Sequence, residues 1–254
     1  MSVKIFMVLF LAMATLCGGQ DRAAAETELL VSAASSLTDS FKEIGKAYET
    51  KNPGVTVRFN FAATGPLLQQ IEQGAPVDVF ASADQQSMDK AEKGKFILPG
   101  SRTDFTGNSL VLITPLNMTT VKKGLADLQS TQVLKISVGN PESVPVGRYT
   151  KAALEKQGVW EAIAPKCVMG SSVKQALEYV MRGEVEAGFV FATDAVMAKD
   201  KVRVVAEIPT VTPIVYPVAV VAGSTKKEQA QAFIHYLQGT EGQAVLTKYG
   251  FKKI

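Results

Sequence analysis

The sequence predicts an α/β protein of two lobes, each with a mainly parallel sheet flanked by helices, joined by crossover strands. Three observations lead there. From residue 28 onward, short apolar β-type runs alternate with segments of helical period, in the βαβαβ order that builds parallel sheets. The runs are too many for one compact sheet. No Pro/Gly/Ser-rich linker divides the chain, so strands passing between the lobes must connect them. The expected division places residues 26–107 and 214–254 in the first lobe and 108–213 in the second.

Residues 1–25 read as a secretory signal peptide. Lys4 precedes the apolar run Ile5–Leu16, and Ala23-Ala24-Ala25 supplies a small-residue cleavage site. As a helix the run spans about 18 Å, short of the ~30 Å hydrocarbon core, which argues against a transmembrane anchor. Cys17 directly follows the run and raises lipid anchoring as an alternative. Leu16 before it fits poorly where such processing requires a small residue.

Glu28–Ala34 then reads as a strand, and Leu37–Glu49 as an amphipathic helix with Leu37, Phe41, Ile44 and Tyr48 on one face. Asn52-Pro53-Gly54 makes a turn into the strand Val55–Phe61. Leu67, Leu68 and Ile71 mark a short helix that stops at Gly74. Val77–Ala81 is a buried strand, and Asp84–Lys93 a helix with Asp84 at its N-cap. Leu110–Thr114 is a strand ended by Pro115. Strands Lys135–Val138, Lys166–Met169 and Ala187–Phe191 alternate with helices Gly147–Gln157, Ser172–Arg182 and Thr193–Lys199. Val202–Ala206 and Tyr216–Ala222 complete the strands, and helices Lys226–Leu237 and Glu241–Lys248 close the chain.

Composition narrows the function. The 254 residues carry 27 Lys plus Arg against 24 Asp plus Glu, with 46% apolar and 20% charged residues. That is an ordinary globular balance, and no basic block offers the phosphate footprint of a nucleic-acid binder. There is one histidine, His235, read as a packed or surface residue of its helix, and two cysteines, of which Cys167 reads as a small buried hydrophobe. No P-loop, dinucleotide fingerprint, zinc-helix motif or nucleophile elbow occurs. Capping suffices to explain Asp84. No catalytic residue, cofactor or direct cation ligand is expected.

What stands out is the chemistry of the strand-to-helix junctions. Ala33–Thr38, Ala62–Pro66, Ser143–Gly147 and Gly170–Val173 each place small and hydroxyl residues where a helix begins. In open α/β sheets ligands collect beyond the carboxyl ends of strands, where helix N-termini present free N–H groups. Any one junction is an ordinary N-cap. Four of them at one sheet edge would suit an anion held by neutral dipoles.

These motifs carry a resemblance. SAASSLTDSF (32–41), IEQGAPVDVFASADQQSMD (71–89), GNSLVLITP (107–115), GNPESVPVGRYTKAAL (139–154), VFATDAV (190–196), YPVAVV (216–221) and KYGF (248–251) resemble the periplasmic molybdate-binding proteins of ABC importers, the ModA family, of the type II periplasmic binding protein fold. The resemblance implies a tetrahedral oxyanion, molybdate or tungstate, held between the lobes by uncharged donors. By position, Ser36 supplies hydroxyl and backbone N–H, and Thr64, where the family usually has serine, supplies its hydroxyl. Val146 and Val173 fall where backbone N–H groups are donated. Phe191 falls where the family usually has a tyrosine hydroxyl. Either another group, such as Thr193 or a water, then takes its place, or the site makes one bond fewer. The implied protein is a periplasmic or extracytoplasmic monomer that delivers its anion to a membrane permease. The same fold serving sulfate, chromate or phosphate is the alternative that Phe191 raises.

Overall fold

The computed structural model describes residues 27–122 and 124–254. The expected signal peptide and Cys17 lie outside the described residues. In chain order the elements are β1 (Thr27–Ala34), a 3-10 turn Ser35–Leu37, α1 (Thr38–Lys51), β2 (Val55–Ala62), α2 (Thr64–Glu72), β3 (Val79–Ala81), α3 (Gln85–Lys93), β4 (Thr103–Asn108) and β5 (Leu110–Pro115). There follow β6 (Ile136–Gly139), α4 (Pro145–Lys156), α5 (Trp160–Ile163), β7 (Cys167–Gly170), α6 (Val173–Met181), β8 (Ala187–Phe191) and α7 (Ala192–Met197). Finally come β9 (Val202–Ile208), β10 (Ile214–Val220), α8 (Lys227–Gln238) and α9 (Thr240–Lys248).

The strands form two five-stranded sheets, ordered β2-β1-β3-β10-β4 and β7-β6-β8-β5-β9. Each sheet belongs to one lobe, and the chain crosses between them twice, from β4 into β5 and from β9 into β10. Both sheets are mixed. β1, β2 and β3 run parallel, as do β6, β7 and β8, because helices return the chain over the sheet between them. β10 pairs antiparallel with β3 and β4, and β5 with β8 and β9, because these strands arrive from the other lobe.

One strand escaped the sequence reading. β4, TDFTGN, has a single large apolar residue, and its strand geometry is imposed by pairing with β10. The chain end reinforces it, since the Gly107 and Lys252 backbones exchange hydrogen bonds of 2.8 and 2.9 Å. One part of the first lobe's core is aromatic: Phe41 packs on Phe59, Phe105 and Phe233, at ring-centroid separations of 6.0, 5.9 and 6.3 Å. This contact anchors α1, which leads directly out of the 3-10 turn, to α8, the penultimate helix. The second lobe is filled by aliphatic side chains around Phe189, all buried. Among the described residues no helix is long and apolar enough to cross a membrane.

Candidate oxyanion-binding site

Four strand-to-helix junctions form a closed ring at the lobe interface. The first and second lie side by side on paired strands, Ala34 opposite Ala62. The second reaches across to the third, where Gly65 N–H donates to the Ser143 carbonyl at 3.0 Å. The third joins the fourth through Asn140 N–H and the Gly170 carbonyl at 2.8 Å. The fourth returns to the first through Lys174 Nζ and Asp39 Oδ2, 3.0 Å apart. Two of these four links cross between lobes, so the cleft is closed.

Ser36 sits in the 3-10 turn, Thr64 is the first residue of α2, Val146 the second of α4 and Val173 the first of α6. All four are buried, none more than 7% exposed. First-turn N–H groups have no intrahelical partner, so Val146 and Val173 carry backbone donors in a water-poor place. Pro145 at N1 starts α4 without spending a donor. Gly147 lets the helix start seat tightly on β6: a Cβ there would lie 1.9 Å from the Gly139 carbonyl oxygen. Ser172 caps α6 by accepting from Gln175 N–H.

The hydroxyls are held from behind. Thr64 Oγ1 accepts from Ala83 N–H at 3.2 Å, which leaves its own proton to donate. Ser36 Oγ lies 3.0 Å from Tyr216 Oη. Tyr216 in turn is 3.2 Å from Asn108 Nδ2, which also donates to Thr193 Oγ1 at 2.9 Å. The sequence reading named Thr193 but missed Tyr216 and Asn108. Tyr216 stands in the YPVAVV block, and its ring packs 5.8 Å from Phe191. Phe191, also against Tyr149, brings no donor to this corner.

Charges ring the site without entering it. Arg148 of α4 donates to Asp84 Oδ2 through Nε at 2.7 Å and to Ser87 Oγ through Nη2 at 3.0 Å. Asp84 also caps α3 by accepting from Ser87 N–H. Capping alone therefore does not explain Asp84, which joins the lobes across a separation in sequence that no local pattern marks. Lys174 contacts Asp39 and, at 3.5 Å, the fully buried Asp194. Burial pushes the Asp194 carboxyl up to about 6, against the pull of Lys174 and the Phe191 backbone. Burial would lower Lys174, but Asp194 and Asp39 outweigh it and hold the ammonium above its ordinary value.

Among the described residues no group of His, Cys, Asp and Glu side chains could hold a metal ion. His235 lies exposed on α8. Cys167 is half-buried rather than buried, because β7 is the edge strand of its sheet; desolvation still pushes its thiol up to about 11.

A two-lobed α/β protein with a closed cleft of neutral donors can be compared with known proteins. A family model of bacterial extracellular solute-binding proteins matches residues 29–252. The chain belongs to this family. Within it, this solute-binding protein is 39% identical to the molybdate-binding protein ModA of Escherichia coli, over 89% of each chain. It is 34% identical to ModA of Haemophilus influenzae, over 90% of this chain and 91% of that one. The periplasmic molybdate-binding protein of Azotobacter vinelandii matches the structure with a TM-score of 0.77 at 26% identity, covering 88% of this chain and 98% of that one. As a member of this family it is a binding protein and not an enzyme. Its family places it outside the cytoplasm.

Proposed function

We propose that this protein captures molybdate between its lobes and delivers it to the permease of an ABC importer, after export under a signal peptide spanning residues 1–25, and that it works as a monomer. The observation that carries the reading is the ring of junctions, which brings two buried hydroxyls and two helix N-termini together with no charged group among them. Burying a dianion is costly unless its oxygens are hydrogen-bonded. Bonds to a charged group contribute roughly 1.5–3 kcal/mol each, so Ser36, Thr64, Val146 and Val173 together make a stable seat. The protein needs no counter-charge that would also attract other anions.

An all-donor seat selects by protonation. Molybdate carries no proton at neutral pH, whereas protonated phosphate would set a donor against a donor. Tungstate is nearly the size of molybdate and binds in the same way. Sulfate has the right charge but shorter bonds, so cavity size excludes it. Phe191 favours a second reading, another tetrahedral oxyanion such as sulfate, chromate or phosphate, since one donor position lacks its hydroxyl. Thermal unfolding with each anion separates the two. Ligand at a thousand times its Kd stabilises by about 4 kcal/mol, or about 8–16 °C in Tm for a chain of this size. Molybdate and tungstate are expected to give such a shift, with sulfate and phosphate giving none. A chain that molybdate and tungstate leave unshifted overturns the proposal.

A further inference from the structure

Tyr216 and Asn108 belong to none of the four junctions, yet they form a buried polar chain that ends on one of the site hydroxyls. Asn108 Oδ1 accepts from Ser109 N–H at 2.9 Å, which fixes the amide with Nδ2 toward Thr193 and Tyr216. The two Nδ2 protons are then committed, one to Thr193 Oγ1 at 2.9 Å and one to Tyr216 Oη at 3.2 Å. Tyr216 is fully buried, so no bulk water meets its hydroxyl. With its oxygen accepting from Asn108, its proton has Ser36 Oγ, 3.0 Å away, as the acceptor in reach. Ser36 therefore accepts from Tyr216, and its own proton is turned outward from the chain, toward the cleft.

We infer that Asn108 and Tyr216 are positioning residues that fix the polarity of the Ser36 hydroxyl, holding it as a donor to a fully deprotonated oxyanion. This rests on the oxyanion reading above. Thr64 obeys the same rule by another route, its oxygen occupied by the Ala83 N–H. A serine free to rotate presents a lone pair as readily as a proton, and a lone pair repels a dianion. A hydroxyl whose acceptor side is already satisfied is paid for before the ligand arrives, and successive bonds in such a chain polarise one another. The device also bears on Phe191. The corner that lacks a tyrosine hydroxyl on β8 has one on β10, at 5.8 Å between rings, acting on the anion through Ser36.

A double-mutant cycle tests this by titration calorimetry with sodium molybdate on the wild type, Tyr216→Phe, Ser36→Ala and the double variant. Tyr216→Phe keeps the ring and is expected to weaken binding by about tenfold, the worth of one hydrogen bond. In the Ser36→Ala background the same change is expected to cost nothing further, because Tyr216 acts through Ser36. Asn108→Ala should repeat the pattern and serves if Tyr216→Phe does not fold. Wild-type affinity in Tyr216→Phe, or full multiplication of the two losses in the double variant, overturns the inference. A wild type that gives no heat with molybdate overturns instead the oxyanion reading beneath it.

Discussion

Asp194 is a carboxyl cut off from water. It is fully buried in the first turn of α7, next to Thr193, and no hydrogen bond of ordinary length from the described residues reaches either oxygen. Its charge opposes an anion in the cleft, and Lys174 at 3.5 Å offsets it. A carboxyl raised to about 6 in the folded chain and ordinary in the unfolded chain binds its proton more tightly when folded. Its contribution to stability is complete below about pH 4 and is lost as pH rises through 6. Asp194→Asn removes that slope. The Tm difference between Asp194→Asn and the wild type is therefore expected to move in the variant's favour between pH 4.5 and 7, by several degrees at about 2–4 °C per kcal/mol. A difference independent of pH across that interval would show that the carboxyl titrates elsewhere.

At the scale of elements, α2 and the segment before α4 meet backbone to backbone. A Cβ at Gly65 would lie 2.6 Å from the Ser143 carbonyl oxygen, an atom of the opposite lobe. Gly65→Ala therefore clashes only in the closed form. In an open form the change places a better helix former in the first turn of α2. The unliganded variant is expected to melt at or above the wild-type temperature, while the Tm rise on adding molybdate disappears. A normal ligand-induced rise would mean that the two helix starts do not need to meet. This contact also shows where sequence reading stops. The junctions were legible because small and hydroxyl residues at helix starts have a local physical reason. That Gly65 faces Ser143 was not, because no local rule joins positions so far apart. β4 was hidden for the related reason that its polar run becomes a strand only through β10. Phe191 stood out only through the resemblance, and Tyr216, which contacts Ser36, lies 180 residues from it, where no local pattern joins the two.

For the whole molecule, two ion pairs cross the closed cleft beside the backbone contact of Gly65 with Ser143: Arg148–Asp84 and Lys174–Asp39. The first is well shielded, with 18% and 5% of the side chains exposed. Removing one partner of a shielded pair costs about 3–5 kcal/mol, but an open cleft would let water recover most of it for Asp84. The penalty therefore falls on the closed state. Arg148→Met is expected to release molybdate at least tenfold faster in stopped-flow competition with excess tungstate, with the melting of the unliganded chain little changed. Unaltered release would show that the lobes stay shut without this pair.

The path of the chain has a further consequence, for assembly. The second sheet is built entirely from β5 to β9, one continuous stretch. The first sheet begins at β1 but carries β10 between β3 and β4, and it is clasped by α8 at the far end of the chain. β1, β2 and β3 pair directly, but β4 cannot join them until the whole second lobe has been threaded out and back to bring β10 between, a loop whose closure costs entropy before it returns any contact. The lobe that is started first is thus the last to be finished, and the ring of junctions, which needs both lobes, is completed only then.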